Sequence, residues 1–350
     1  MREPERVIVV GGSRGSLPAL VKLLEALPAD LPAAVLVVMH VAVGSGSWGQ
    51  ALEGTSRLPV QVADHTSELL PGNVYLAPAG LHLVVAEQRL RVIDGPRENA
   101  SRPSIDVLFR SAAVEFGNRV IGVILSGGLT DGAVGLSAVL RCGGIALVQD
   151  PAEALDNELP RQALQTNAAS RKVPTDAIGA LLCELVASEP GPALPVPDEL
   201  RVEARIAFRS MAHTAIEGGN ATAAMGEATH FSCPECLGPL WLIAEGPFGR
   251  YRCDIGHAYT AEALLADQER QLERALWLAY RTLIERHRIL LKMAQDGRAK
   301  GLGRSAEAFE ERALEFNEHA VAVRNAMSLL GSPPNPGGEL ILEDTSNPSI

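Results

Sequence analysis

Val7-Ile-Val-Val-Gly-Gly-Ser-Arg-Gly-Ser16 is the stretch of sequence that decides the fold. Its four consecutive β-branched residues predict a strand buried on both faces, since a half-exposed strand would alternate apolar and polar residues. The glycine-rich turn leads directly into residues 17–27, whose apolar spacing predicts a helix. A buried strand, a tight turn and a helix in this order are typical of an α/β domain with a parallel sheet.

The same alternation continues to about residue 187. Further apolar runs predict strands at residues 35–39, 74–77, 81–85, 120–125 and 145–148. Further helices are predicted at residues 105–116 behind Ser104 as N-cap, at 132–142 and at 175–186. We therefore predict that residues 1–187 form a doubly wound, mostly parallel α/β sheet, Rossmann-like and three-layered.

Composition and charge exclude several classes of function. The chain has 350 residues, with 31 basic and 42 acidic side chains, so a net charge of -11 argues against nucleic-acid phosphates and anionic membrane surfaces as partners. The most apolar stretch, residues 33–43, is interrupted by His40 and is shorter than the roughly 20 residues that span a bilayer. The charged first six residues lack the order of a signal peptide, so we expect a cytoplasmic protein without membrane insertion.

The remainder of the chain divides by composition. Four prolines between residues 190 and 197 predict a partly flexible linker at 188–229. A zinc-ribbon-like β-hairpin is predicted at 230–260, and apolar residues at steps of four and three predict an α-helical hairpin at 261–330. The tail, residues 331–350, is rich in proline and glycine and is predicted to be disordered.

Three side chains are predicted to meet at one edge of the sheet. Ser13 follows the first strand, His40 ends the second, and Asp131 lies shortly after the strand at 120–125. Carboxyl ends of parallel strands share an edge, so the three suit a serine nucleophile, its general base and the carboxylate that orients the base. Each residue also has a simpler interpretation: a helix-starting turn for Ser13, a structural histidine, and an N-cap for Asp131. A dinucleotide-binding loop fits less well, because the glycine spacing differs and His40 stands where an acidic ribose ligand is expected.

Backbone N–H groups would hold the oxyanion in such a site. The candidates are the amide of Arg14 and the turn formed by Gly127 and Gly128. This chemistry needs no cofactor.

Residues 6–182 resemble the catalytic domain of the CheB family of chemotaxis protein-glutamate methylesterases. The resemblance rests on seven motifs: Val10-Gly-Gly-Ser-Arg-Gly-Ser16, Val37-Val-Met-His40, Leu70-Pro-Gly-Asn-Val-Tyr-Leu-Ala-Pro78, Gly95-Pro-Arg-Glu-Asn99, Arg102-Pro-Ser-Ile-Asp-Val-Leu-Phe109, Leu125-Ser-Gly-Gly-Leu-Thr-Asp-Gly-Ala133 and Gly143-Gly-Ile-Ala-Leu-Val-Gln-Asp150. It implies hydrolysis of glutamyl 5-methyl esters on the cytoplasmic region of chemoreceptors, and in some members deamidation of receptor glutamines. It also places the nucleophile, base and carboxylate on Ser13, His40 and Asp131.

The chain departs from the family pattern at two positions near this site. Family members usually have threonine and methionine where this sequence has Arg14 and Gly128. The family often carries a receiver domain ahead of the esterase, and we expect none here because the first catalytic strand begins at Val7. Two other functions therefore stay open: a catalytically silent scaffold that binds receptors or signals, and an amide hydrolase acting on a protein outside chemotaxis.

Four residues near the C-terminal side have metal-ligand spacing. Cys233-Pro-Glu-Cys236 and Cys253-Asp-Ile-Gly-His257 are separated by sixteen residues that include a turn, so a hairpin would bring the two pairs together. Three thiolates and one imidazole are a common tetrahedral set for structural Zn²⁺, with His230 as a substitute ligand. Basic residues are sparse around this site, which argues against nucleic acid as its partner. The helices that follow offer a surface for homo-oligomerisation, although their spacing is also that of an ordinary core.

Overall fold

The computed structural model describes residues 4–40, 52, 54–65, 67–207, 226–245 and 248–329. The chain divides into two compact units, Met1–Leu265 and Ala266–Ile350. The predicted disordered tail at 331–350 and much of the predicted linker lie outside the described residues.

A seven-stranded parallel sheet forms the centre of the first unit. Its strands are, in spatial order, β3 (Val60–Val62), β4 (Val74–Leu76), β2 (Ala33–Met39), β1 (Arg6–Gly12), β7 (Val120–Ile124), β8 (Ile145–Gln149) and β9 (Arg171–Val173). Every neighbouring pair runs parallel. The strands β1 and β2 are buried along their whole length, as their uninterrupted apolar sequences predict.

Helices cover both faces of this sheet. Alternate residues of β1 point to opposite sides, so Val7 and Val9 join one apolar core while Ile8 and Val10 join the other. The first core includes residues of α2 (Ile105–Phe116), α3 (Ala133–Arg141) and α4 (Glu158–Thr166). The second includes residues of α1 (Leu17–Ala26) and α5 (Thr175–Ala187). The predicted mostly parallel, Rossmann-like α/β fold is thereby confirmed.

One predicted strand pairs differently from the rest. The strand β5 (His82–Ala86) lies outside the parallel sheet and pairs antiparallel with β6 (Arg89–Ile93). Their two-residue turn is Glu87-Gln88, with φ angles of 51° and 58°, the left-handed geometry that suits a tight hairpin. The sequence predicted β5 but not its partner, because Glu-Gln lacks the glycine or asparagine that marks such turns.

Two short helices were not predicted from the sequence. One is α4, and the other is α6 (Asp198–Ala207), which lies within the predicted linker. Leu200 and Ala204 of α6 are buried, so this part of the linker packs against the rest of the unit. The predicted N-cap of α2 is confirmed, since the Ser104 side chain accepts the Val107 N–H.

A second, antiparallel sheet completes the first unit. Its strands are, in order, β10 (Glu227–Ser232), β11 (Pro239–Glu245), β12 (Phe248–Cys253) and β13 (Ala258–Tyr259). Its small core contains Leu240 and Tyr259 together with Cys233 and Cys253. We refer to this sheet and its turns, residues 226–260, as the ribbon.

Two long helices follow, α7 (Ala261–Ala299) and α8 (Gly303–Leu329). In the second unit they contact each other through the His287 ring, whose Nδ1 lies 2.9 Å from the Ala313 carbonyl oxygen, and through the pair Arg298 and Glu310. Buried small residues recur every seven positions along α8, at Ala306, Ala313 and Ala320. None of the helices in the described part of the chain combines the length and apolar character that a membrane span requires.

Candidate functional site

The three predicted catalytic residues follow neighbouring strands at the carboxyl edge of the parallel sheet. Ser13 comes after β1, His40 after β2, and Asp131 in the loop after β7. In the sheet, β1 lies between β2 and β7. The chain passes from β1 to β2 on one side and later returns to β7 on the other side of β1. Such a switch point is where open α/β sheets form their ligand crevice.

The turn that carries Ser13 is held by the loop after β7. The Ser13 N–H donates to the Ser126 carbonyl at 2.9 Å, and the Ser126 hydroxyl donates to the Arg14 carbonyl at 2.9 Å. A Cβ atom at Gly127 would lie only 2.9 Å from the Ser13 Cβ, so this close approach requires glycine. The nucleophile candidate is therefore fixed by its backbone.

His40 lies beside Asp131 and is hydrogen-bonded to the residue that precedes Ser13. Its backbone N–H donates to the Gly12 carbonyl at 3.0 Å, directly before Ser13. Its ring Nε2 lies 2.9 Å from Asp131 Oδ2, and the ring is 20% exposed. The two atoms are within hydrogen-bonding distance, but the ring N–H is not aligned for a hydrogen bond.

Asp131 is buried at the N-terminus of α2. Its carboxylate accepts the Ile105 N–H at 2.7 Å, the Ser104 hydroxyl at 2.8 Å and the Asn99 Nδ2 at 3.0 Å. Burial opposes its ionisation, but the adjacent His40 imidazole, together with these donors, holds the pKa of Asp131 below its ordinary value. Asp131 is not the N-cap of α3, the simpler interpretation of this residue, because Gly132 occupies that position and makes no side-chain cap.

Asp106 is a second buried carboxylate that the sequence did not single out. Its Oδ1 accepts the N–H groups of Gly132 and Gly135, at 2.9 and 2.6 Å, and its Oδ2 accepts Asn99 Nδ2 at 2.8 Å. Burial and the negative charge of Asp131 raise the pKa of Asp106 to about 7. Asp106 thus supplies the cap that α3 lacks, a role with no local sequence signal.

One of the three oxyanion candidates is already engaged. The Gly127 N–H donates to the Asp156 carbonyl at 2.9 Å, so that prediction is corrected and the amides of Arg14 and Gly128 remain. The Arg14 guanidinium is 80% exposed and pairs with Asp156 Oδ2, at 2.7 Å from Nη2. A Cβ at Gly128 would lie 3.1 Å from this Nη2 and 3.2 Å from Asp156 Oδ2. The two departures from the family pattern therefore fit one another sterically.

The four predicted metal ligands lie together at one end of the ribbon. The ligand atoms of Cys233, Cys236, Cys253 and His257 all fall within 4.8 Å of one another. The Cys236 and Cys253 sulfurs are 3.6 Å apart, and His257 Nδ1 lies 3.5 Å from the Cys253 sulfur and 3.7 Å from that of Cys233. His230 is exposed on β10 and does not belong to the group.

These separations fit a tetrahedral metal site. With metal–sulfur bonds of about 2.3 Å and metal–nitrogen bonds of about 2.0 Å, a tetrahedron has S···S edges of about 3.8 Å and S···N edges of about 3.5 Å. The remaining cysteines are unlike the group. Burial raises the pKa of Cys142 to about 11 and also raises that of Cys183, as expected for inert thiols.

Comparison with known proteins agrees with this geometry. The CheB methylesterase family matches residues 8–182, half of the chain. A protein-glutamate methylesterase/protein-glutamine glutaminase of Burkholderia lata is 41% identical over 175 residues, which cover 49% of this chain and 48% of that protein. A similarly named protein of Anaeromyxobacter dehalogenans is 40% identical over 183 residues, 51% of this chain and 53% of the relative.

Similar chains also occur among solved structures. The CheB methylesterase catalytic domain of Thermotoga maritima is 29% identical, with a TM-score of 0.49, and the match covers 51% of this chain and 98% of that one. The chain spans about half the length of the curated relatives that it matches. Because the family matches half of the chain, over residues that include Ser13, His40 and Asp131, this chain belongs to the CheB methylesterase family.

Proposed function

We propose that this protein is a protein-glutamate methylesterase that hydrolyses glutamyl 5-methyl esters on the cytoplasmic region of methylated chemoreceptors. The observation that carries the proposal is the approach of His40 Nε2 to within 2.9 Å of Asp131 Oδ2, beside the turn that holds Ser13. Membership of the family and the names of the relatives over this same half of the chain support it.

In the proposed mechanism each residue has one role. Asp131 keeps the proton of His40 on Nε2, so Nδ1 is the ring nitrogen that takes the proton from Ser13. The Ser13 oxygen then attacks the ester carbonyl, and the ester C–O bond breaks as methanol leaves with the proton from His40. A water molecule that gives its proton to His40 hydrolyses the acyl-enzyme, which restores Ser13 and releases the glutamate side chain. The amides of Arg14 and Gly128 are the proposed donors to the oxyanion.

The same acyl-enzyme forms when the substrate is a glutamine side chain, and ammonia then takes the place of methanol. The names of the relatives include protein-glutamine glutaminase, which favours this as a second activity. Neither reaction as written calls for a cofactor.

We also propose a structural Zn²⁺ held by Cys233, Cys236, Cys253 and His257. The ligand separations and the placement of two ligands in each of two turns are those of a zinc ribbon. A bound ion would cross-link the turns at 233–236 and 253–257. The contacts between α7 and α8 support the helical hairpin, and homo-oligomerisation through these helices and a cytoplasmic location stay predictions.

Methanol release from a methylated receptor cytoplasmic fragment tests the esterase proposal. Ser13→Ala and Asp131→Asn are expected to lose at least about 10³-fold in kcat. Ser188→Ala, at the C-terminus of α5, and Asp176→Asn, an exposed partner of Lys22, serve as matched controls and are expected to keep it. Ammonia release from glutamine, without methanol release, would favour the amide hydrolase. A folded wild type that releases neither product would favour the scaffold.

A further inference from the structure

The ribbon contacts the segment of the esterase domain that holds Asp131. The Asn99 N–H donates to the Ala258 carbonyl at 2.7 Å, and the Ala258 N–H donates to the Arg97 carbonyl at 3.3 Å. The hydroxyl oxygens of Thr130 and Thr260 lie 2.7 Å apart, both buried. Thr130 directly precedes Asp131, so the ribbon reaches the site along two routes.

The first route fixes the orientation of one buried amide. The Thr260 N–H donates to Asn99 Oδ1 at 3.0 Å, which turns Asn99 Nδ2 toward the carboxylates of Asp106 and Asp131. In the opposite orientation Asn99 would present an oxygen to two buried carboxylates, which is unfavourable. The backbone N–H of Thr260 therefore decides whether Asp131 Oδ1, the oxygen that does not face His40, receives the Asn99 hydrogen bond in addition to that of the Ser104 hydroxyl.

A buried ion network anchors the ribbon in this place. Its five members come from three parts of the chain, and each has a side chain no more than 1% exposed: Glu98, Arg110, Glu203, Arg250 and Arg252. Glu98 Oε1 lies 2.6 Å from Arg110 and 2.9 Å from Arg252, while its Oε2 accepts from Arg250. Burial opposes ionisation of Glu98, but these three positive charges hold its pKa well below its ordinary value.

The metal ligands lie within the anchored segment. Cys253 directly follows Arg252, and His257 directly precedes Ala258. Within the turn between them, the Gly256 carbonyl accepts from Arg252 at 2.9 Å, and the Cys253 N–H donates to the His257 carbonyl at 3.0 Å. An ion bound by Cys253 and His257 would hold this turn closed, and with it the partners of Asn99.

We propose that the ribbon is a metal-dependent part of the esterase site, in which Asn99 and Thr260 are positioning residues for Asp131. The inference rests on the proposed function and adds a mode of control to it: loss of the metal loosens the turn at 253–257, frees the Asn99 amide and lowers the rate at which Ser13 reacts. Recognition of the ester itself is unaffected, because neither residue belongs to the turn that carries Ser13.

A serine-directed fluorophosphonate tests this without any receptor. Labelling of Ser13 in the full chain, followed by mass spectrometry, is compared for the zinc-loaded protein, the chelator-treated protein and the protein resupplied with zinc. We expect labelling to slow by at least tenfold on chelation and to recover with zinc. The variant Cys236→Ser is expected to stay slow, and Cys183→Ser, a cysteine outside the ribbon, to behave as wild type.

Hydrogen exchange separates a local effect from general unfolding. On chelation, exchange is expected to rise at residues 97–101 and 253–260 and to stay unchanged in β1 and β2. Equal labelling rates with and without metal would overturn the inference and leave the proposed function standing. A zinc-loaded chain that is not labelled at all would overturn both.

If chelation unfolds the whole domain, the variant Asn99→Asp tests the positioning role of Asn99 without removal of the metal. An aspartic acid at this position can donate to Asp131 only while it is protonated, and the two neighbouring carboxylates favour that form. We expect kcat of this variant to fall as pH rises through the deprotonation of the new carboxyl, with KM unchanged, and we expect this additional fall to be absent from wild type and from the remote control Asn118→Asp. A profile of Asn99→Asp that follows wild type would refute the positioning role.

Discussion

The carboxylates of Asp106 and Asp131 accept hydrogen bonds from one and the same amide, Asn99 Nδ2, at 2.8 and 3.0 Å. Each of the two carboxylates also caps the N-terminus of a helix. Asp131 accepts the first N–H of α2, and Asp106, which lies within α2, accepts the N–H groups that begin α3. With the pKa of Asp106 raised and that of Asp131 lowered, the negative charge resides on the carboxylate beside His40.

The raised pKa of Asp106 predicts a pH-dependent stability. Its folded value of about 7 exceeds its ordinary value of 3.8, so between these limits the unfolded chain loses this proton first. The free energy of unfolding therefore falls as pH rises from about 4 to about 7, by a few kcal/mol at most. In Asp106→Asn this part of the slope is expected to vanish. Urea unfolding across that range measures it, with the exposed Asp176→Asn as control, and parallel wild-type and Asp106→Asn curves would contradict the assignment.

Arg14→Thr is expected to leave kcat/KM within tenfold of wild type. The guanidinium is exposed and pairs with Asp156, and such surface pairs contribute about 1 kcal/mol or less. The proposed oxyanion donor is the backbone amide of residue 14, which the substitution retains. Steady-state methanol release measures the effect. A loss greater than tenfold would show that the side chain itself acts on the substrate.

Glu98→Gln is expected to destabilise the protein by about 3–5 kcal/mol, because it leaves three buried arginines opposite a single carboxylate, that of Glu203. The control is Glu285→Gln, whose partner Arg281 lies four residues away on the exposed surface of α7, and it is expected to cost less than about 1 kcal/mol. Chemical denaturation of both variants gives the comparison. Similar losses in the two would mean that the buried network adds little to stability.

The purified chain is expected to bind one Zn²⁺, and Co²⁺ in its place is expected to give the absorption bands of a tetrahedral thiolate site. Cys236→Ser should lower the metal affinity by at least an order of magnitude, while Cys183→Ser should not change it. Elemental analysis after dialysis against a chelator reports both variants. Full zinc retention by Cys236→Ser would rule out the four-ligand assignment.

Much of the parallel sheet and of the candidate site was visible in the sequence for one physical reason. Strands buried on both faces are continuously apolar, and their carboxyl ends meet, so Ser13, His40 and Asp131 could be placed at one edge without knowledge of side-chain contacts. The four candidate metal ligands could be predicted because spacing within a turn is local. Both predictions used information contained in short segments.

The contacts between distant segments were not visible. Nothing in the sequence around Asn99 indicates that its amide lies between two carboxylates, or that its oxygen accepts from Thr260, 161 residues away. The helix α6 was not predicted because the proline-rich segment before it obscured a short amphipathic pattern. Its Glu203 is buried beside Arg110 of α2 and two arginines of β12, contacts that no local pattern indicates. Gly127 failed as an oxyanion donor for the same reason, since its acceptor lies in another loop.

The buried arginines of β12 have a consequence for the evolution of this protein. A free esterase domain would leave Glu98 without two of its three cations, and a free ribbon would carry two guanidinium groups on a surface shaped to be covered. Either module alone would be less stable than the two together, so deletion of one would destabilise the other. We therefore expect the esterase domain and the ribbon to be inherited together, because a rearrangement that separated them would lower the stability of both.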